Sequence, residues 1–182
     1  MEKTLNRAYL AGGCFWGVEY HLRRIPGVIE VTSGFMGGSL ENPTYRQVCS
    51  QPTGHVETVE VLFDPEITGF EAIARRFFEI HDPTQRDRQG PDIGVQYRSV
   101  VFAVDEAQAA IARSLIAELI HNGYDVVTEV VDASTFWPAE EGHQTYYDRL
   151  GRSPACHTPV ARFSMLSVPV PMRPNAQGRH IS

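Results

Sequence analysis

The 182-residue sequence predicts a two-layer α/β (α+β) sandwich with a βαββαβ core of ferredoxin-like type, a mixed sheet and an extended C-terminal tail. Three observations predict it. Short β-patterned runs and stretches of helical period follow one another as strand, helix, strand, strand, helix, strand, helix, strand, helix. A 42% hydrophobic composition is enough to bury one core at this length. From residue 157 the chain carries Pro159, Pro169, Pro171 and Pro174 without helical period, so residues 1–156 read as one domain. Residues 157–182 then read as an extended proline-rich tail that lies along the domain to about Val170 and frays beyond.

The first strand is the apolar run 8–10, closed by the turn Ala11-Gly12-Gly13. Beyond it Phe15, Val18, Leu22 and Ile25 recur at helical spacing, and Glu19 stands four residues before Arg23, the order that favours a surface ion pair. Pro26-Gly27 breaks this helix. Val28–Met36 alternates Ile29, Val31 and Phe35 against Glu30 and Thr32, a strand that glycines end. The stretch 39–55 is irregular, with a short helical turn at 44–49; a loop of this length in a compact domain points to function.

Val56–Phe63 is the next strand, and its alternation puts Glu57, Val59, Val61 and Phe63 on one face. Residues 69–81 form a helix with Phe70, Ile73, Ala74, Phe77 and Ile80 on its buried stripe and Arg75-Arg76 outside. The stretch 84–97 is polar and irregular, the kind of loop on which a rigid scaffold carries chemistry. Residues 99–104 are nearly all apolar, as in a strand covered on both faces. Asp105 then caps a helix with Gln108 three positions on, and Gln108, Ala112, Leu115 and Leu119 mark one edge before Asn122-Gly123 stops it. A last strand over 124–131, a short helix over 140–150 and a loop to Cys156 complete the domain.

Composition removes several function classes. A net charge of −6 and a pI near 5.6 argue against nucleic-acid binding, and no apolar run is long enough to span a membrane. The first seven residues lack the pattern of a secretory signal, so a cytoplasmic location is expected. Three cysteines, Cys14, Cys49 and Cys156, are odd in number and widely spaced, which in a reducing compartment suits redox or nucleophilic chemistry better than a structural framework. Neither a Cys-x-x-Cys nor a His-Glu-x-x-His pattern is present, so no metal and no cofactor is expected.

Cys14 is read as lying in the first turn of a helix, where free backbone N–H groups and the helix dipole favour an anion, so its thiolate should form more readily than that of a free cysteine. The competing reading is a small residue buried where helix meets strand. Phe15 and Trp16, an apolar wall beside the sulfur, favour the nucleophile. Glu57 faces Val and Phe side chains; lost hydration should raise its pKa and make it a proton donor, unless it reaches solvent at the strand's rim. Tyr45 and Tyr97 stand in the two longest polar loops, although a single tyrosine is more often an amphipathic core residue. Cys49 reads as an inert packed thiol, and His55 and His143 as helix-capping or surface residues.

The block Gly13-Cys14-Phe15-Trp16-Gly17-Val18-Glu19 resembles the signature of the A-class peptide methionine sulfoxide reductases. So do Gly34-Phe35-Met36-Gly37-Gly38, Asn42-Pro43-Thr44-Tyr45, Thr53-Gly54-His55-Val56-Glu57, Phe63-Asp64-Pro65, His81-Asp82-Pro83-Thr84-Gln85 and Gln96-Tyr97-Arg98-Ser99, in the family's order. The resemblance covers residues 7 to about 156. It implies Cys14 as nucleophile, Glu57 as acid, Tyr45 and Tyr97 as donors to the sulfoxide oxygen, Phe15 and Trp16 as the pocket for the substrate methyl, and Asp92 as a further polar residue. It also implies reduction of methionine-S-sulfoxide, free or in proteins, by a monomer that repairs oxidised proteins.

The residues fit that chemistry. A sulfoxide sulfur is attacked sluggishly because its oxygen leaves poorly, and a neutral Glu57 can protonate that oxygen while two phenols hold it. Cys14 is left as a sulfenic acid; Cys156, in a Gly/Ser/Pro loop able to swing toward it, is the plausible resolving thiol, and a thioredoxin-like dithiol would reopen the disulfide. The run Arg152-Ser153-Pro154-Ala155-Cys156 departs from the family's Gly-Tyr-Cys, and Ile93 and Val95 stand where more polar residues are frequent. Two readings of other classes compete: a Cys-His hydrolase using Cys14 with His55 or His143, and a module that only binds oxidised methionine. Turnover that requires a dithiol reductant separates the reductase from both.

Overall fold

The computed structural model describes residues 2–50 and 52–163, so the expected course of the tail from 164 onward lies outside the described residues. In chain order the first elements are β1 (Asn6–Gly12), α1 (Phe15–Leu22), β2 (Val28–Met36), α2 (Tyr45–Ser50), β3 (Val56–Phe63) and α3 (Phe70–Ile80). They are followed by β4 (Arg88–Gln89), β5 (Asp92–Ile93), β6 (Ser99–Ala103), α4 (Glu106–His121), β7 (Glu129–Asp132), β8 (Trp137–Pro138) and α5 (Tyr146–Leu150). Short 3-10 turns stand at Val95–Tyr97 and Glu141–His143.

One mixed sheet of six strands runs β7-β6-β1-β3-β2-β8, antiparallel throughout except for the parallel β6/β7 pair. The crossovers β1-α1-β2 and β3-α3-β6 each skip one strand, and the skipped strand belongs to the other crossover. Strand alternation then divides the side chains between two faces. Ala8, Leu10, Val59, Val61, Phe63 and Val101 meet Val18, Leu22, Ile73, Phe77, Leu115 and Leu119 of the helices in the main core. Ala11, Met36, Val56, Val100 and Phe102 form a smaller core on the opposite face, beneath Tyr9, Ala133 and Phe136.

Helix α4 begins as its sequence indicates, with the Asp105 side chain accepting from the Gln108 N–H at 2.8 Å. Three segments differ from the sequence reading. The strand expected over 124–131 pairs only at Glu129–Asp132, because its partner β6 starts at Ser99 and leaves earlier residues without a ladder. The helix expected over 140–150 breaks at Thr145, which is left-handed at φ +51°. There the Gln144 side chain accepts from the Ser33 N–H and donates to the Ser33 carbonyl, both at 2.8 Å, so bonds to the edge of β2 replace a helical turn. The polar stretch 84–97 contains the β4/β5 hairpin, whose strands of two residues are too short to show alternation.

The Glu19 and Arg23 pair is not a surface pair. Glu19 is buried, its Oε1 3.3 Å from Arg23 Nη1, and Arg23 also reaches Asp148 of α5 at 3.2 Å. Burial raises the Glu19 pKa to about 7 against the opposing pull of Arg23, and the pair ties α1 to α5.

After Cys156 the chain stays docked as far as it is described. His157 is buried, the Val160 N–H donates to the Glu79 carbonyl at 2.8 Å, and Phe163 packs edge-on against Phe78 beneath the Arg75 guanidinium. Among the described residues no helix is long and apolar enough to cross a membrane.

Candidate active site

The sheet register sets the site at one end of the molecule. Gly12, the last residue of β1, pairs with Ser99 of β6, while Glu57 near the start of β3 pairs with Phe35 near the end of β2. The chain leaves β1 through Gly13 at φ +93°, a conformation that a side chain rarely adopts, and a Cβ there would also come within 2.6 Å of Gln89. Gln89 is buried, its amide accepting from the Asp82 N–H and donating to the Asp82 carbonyl, both at 2.9 Å. The glycine turn therefore lies directly against the β4/β5 hairpin, and Asp92, opposite Gln89 in that hairpin, is carried to the same end.

Cys14 is the N-cap of α1 rather than part of its first turn. Its thiol is pushed well above the ordinary range, first by burial and then by negative charge on Glu57, with smaller contributions from Asp92 and Cys156. The Trp16 N–H acts in the opposite direction, as the helix terminus should. A terminus contributes at most about 2 kcal/mol to an anion, and here desolvation outweighs it. The resting site holds a thiol, contrary to the expectation of an easily formed thiolate.

Glu57 has the environment that alternation predicts. It is buried, on the face shared with Val59, Val61 and Phe63, and burial raises its pKa to about 8. Oε1 accepts from the Phe15 N–H at 3.2 Å, which joins the carboxyl to the residue next to Cys14. Tyr97, at the end of the 3-10 turn, approaches closely enough to oppose the rise slightly, yet Oε2 has no hydrogen-bond partner. A buried polar atom without a partner calls for one, and a ligand oxygen can supply it.

Around this pair stands an aromatic wall. Phe15 is fully buried, with ring centroids 5.6 Å from Phe35, 6.1 Å from Tyr45 and 6.4 Å from Trp16. Trp16 lies face to face with Tyr146 at 3.8 Å and is nearly parallel to Tyr45 at 6.2 Å. Burial and negative charge on Glu57 raise both the Tyr45 and Tyr97 phenols, so each remains a neutral donor. Both phenols lie near the Cys49 thiol and oppose the rise that burial causes in it. Cys49 itself is exposed at the end of α2 rather than packed. Asp92 is half-buried, its pKa raised by desolvation, and its charge is felt by Cys14, Glu57, Tyr97 and Cys156 alike. Cys156 is a free, partly buried thiol beside this group, raised by burial and then by Asp92.

Both histidines weighed at the level of sequence have other places. His55 is buried, its Nδ1 accepting from the Gly38 N–H at 3.1 Å and its Nε2 donating to the Leu40 carbonyl at 2.6 Å, so it ties the 38–55 loop together and does not serve Cys14. His143 belongs to the wall, with its ring centroid 4.4 Å from Tyr45 and its Nδ1 accepting from Trp16 Nε1 at 3.2 Å. With that lone pair engaged, His143 is no base for Cys14, and the hydrolase reading loses its second component. Sequence reasoning missed His143 and Tyr146 as site residues; their only signal was three-residue spacing on a presumed helix that places both on one side.

Comparisons with known proteins identify the family. The family model described as peptide methionine sulfoxide reductase matches residues 6–167. A peptide methionine sulfoxide reductase MsrA from Methanoculleus marisnigri is 50% identical over 153 residues, which cover 82% of this chain and 93% of that one. Among solved structures, Mxr1 from Saccharomyces cerevisiae in reduced form superposes with a TM-score of 0.79 at 30% identity, covering 87% of this chain and 95% of that chain. Methionine sulfoxide reductase A of Corynebacterium diphtheriae gives 0.75 at 35% identity, covering 90% and 84%. With half the aligned residues shared across nearly a whole relative, and a family match that spans the turn at Cys14 and every strand of the sheet, the chain belongs to the peptide methionine sulfoxide reductase family.

Proposed function

We propose that the chain is a peptide-methionine (S)-S-oxide reductase, which returns methionine-S-sulfoxide, in proteins or free, to methionine. The observation that carries this reading is the Glu57 carboxyl, buried, raised to about 8 and with Oε2 unpartnered, joined through the Phe15 N–H to the turn that holds Cys14. A neutral carboxylic acid beside a neutral thiol suits a substrate whose oxygen must gain a proton as its sulfur is attacked.

In this reading the sulfoxide oxygen enters toward Oε2 and the Tyr45 and Tyr97 hydroxyls, and the substrate methyl lies against Phe15 and Trp16, with Asp92 at the margin. Glu57 gives its proton to the oxygen while Cys14 Sγ bonds to sulfur. The carboxylate so formed takes the Cys14 proton, methionine departs, and oxygen stays on Cys14 as a sulfenic acid. The Cys156 thiol then displaces that oxygen as water, leaving a Cys14-Cys156 disulfide. Thiol exchange with a thioredoxin dithiol restores both thiols. Every group comes from one chain, which fits a monomer, and the reductant it needs is available in the cytoplasm, the compartment we propose. The biological role is repair of oxidised proteins.

Steady turnover of a methionine sulfoxide peptide should require dithiothreitol or thioredoxin with its reductase. Methionine production that continues without any dithiol would remove this reading. Cys156→Ser should form one methionine per chain and then stall with thioredoxin as reductant; normal cycling would show that another thiol resolves the sulfenic acid.

A further inference from the structure

One buried titratable group beside the site has no part in the scheme above. His157 is 1% exposed and fills a slot in the catalytic turn and the first turn of α1. The slot exists because its walls are glycines: a Cβ on Gly17 would overlap the ring at Nδ1, and one on Gly13 would stand 3.3 Å from Nε2. His157 is held by its backbone as well, its carbonyl accepting from His21 Nε2 of α1 at 2.6 Å. The imidazole thus keeps one position relative to the turn that carries Cys14.

Both ring nitrogens are engaged, and their partners decide the tautomer. Nε2 lies 2.9 Å from the Gly12 carbonyl oxygen, which can only accept, so Nε2 carries the hydrogen. Burial lowers the ring's pKa and keeps it neutral, which leaves Nδ1 with a bare lone pair. That lone pair stands 3.2 Å from Cys156 Sγ, so the thiol is the donor. The Cys156 loop is consequently docked beside the site by its own neighbour, where the sequence alone read a loop free to swing. A partly buried thiol yields little thiolate unaided, and a positioned base is the usual remedy.

We infer that His157 is the general base of the resolving step, accepting the Cys156 proton at Nδ1 as Cys156 Sγ attacks the Cys14 sulfenic acid. The inference rests on the reading of Cys156 as the resolving thiol. The Cys156 S–H bond and the Cys14 S–O bond break, the Sγ–Sγ bond forms, and the hydroxyl leaves as water with the Glu57 proton. The proton on His157 then returns through water to the Glu57 carboxylate. Cys156 is oxidised and the Cys14 sulfenic sulfur reduced, so no further reagent is needed. The Gly12 carbonyl, which accepts from Nε2–H, stabilises the charge that develops on the ring.

His157→Gln tests this, because the Gln amide can still donate to Gly12 while the base is gone. In a single turnover with the S epimer, the rate of second-thiol loss relative to methionine release should fall about 100-fold, the low end of general-base contributions, with a sulfenic acid that dimedone traps. An unchanged ratio overturns the proposal and leaves Cys156 as the resolving thiol. Loss of two thiols per methionine in Cys156→Ser would instead place the failure in the underlying reading, and the proposal would fall with it. Independently of any variant, the imidazole 15N signals of His157 in the reduced protein should report hydrogen on Nε2 and a bare Nδ1; the opposite tautomer overturns the proposal.

Discussion

Glu57→Gln is expected to slow methionine formation in a single turnover by about 10²- to 10⁴-fold, the contribution of a lost general acid, while making the protein more stable at pH 7. The two effects have one cause. In the unfolded chain a glutamate ionises near 4.5, but in the fold burial holds Glu57 protonated up to about 8. A folded-state pKa above the unfolded value favours folding fully only below about 4.5, and that advantage is lost as pH rises toward 8. At pH 7 the protein therefore tolerates a penalty of about 3 kcal/mol, at 1.36 kcal/mol per pKa unit, which an amide does not incur.

Urea unfolding of parent and variant should show the variant ahead at pH 7 and the difference closing near pH 4.5. A variant that is less stable at pH 7 would contradict the neutral buried acid. The parental first step should share this pH dependence, holding its rate below about 8 and declining above as Glu57 ionises and its charge raises the Cys14 thiol further. A first step that accelerates through pH 9 would mean that the thiolate, and not the acid, limits attack.

Cys14→Ser should abolish methionine formation altogether, a loss on the order of 10⁶-fold as when the nucleophile of a covalent enzyme is removed. The fold should survive, since position 14 is an N-cap with no side-chain bond of its own and serine is among the best caps. In the proposed reaction Phe15 and Trp16 hold the substrate, so a sulfoxide peptide should still bind, and the thiol count should stay constant on incubation with it. Methionine produced by this variant with loss of the Cys156 thiol would transfer the nucleophile's role to Cys156. A parent that binds sulfoxide but forms no methionine would instead restore the binding-module reading.

What could be read from the sequence was whatever is encoded by local period. Successive side chains of Val56–Phe63 take opposite faces, so the face of Glu57 followed from counting, and the stripe from Phe70 to Ile80 and the Asp105 cap were equally local. The β4/β5 hairpin was not legible, because strands of two residues have no period to read. Nor was the slot of His157, which depends on Gly12, 145 residues earlier, and on glycines whose missing side chains are visible only as space. The Cys14 thiol shows the same limit in energetic form: the sequence reveals the helix terminus that favours an anion, but the burial and the Glu57 charge that overrule it come from elsewhere in the chain. His143 was read as a helix-capping or surface residue for want of an orienting neighbour, and its neighbours proved to be Trp16 and Tyr45, both far earlier in the chain.

The most direct measurement is a single-turnover assay on the pre-reduced protein with the separated S and R epimers of a methionine sulfoxide peptide, counting methionine formed and thiols lost. One methionine per chain from the S epimer, none from the R epimer, and two thiols consumed is the predicted result. No methionine from either epimer, or methionine formed with no thiol lost, would contradict it.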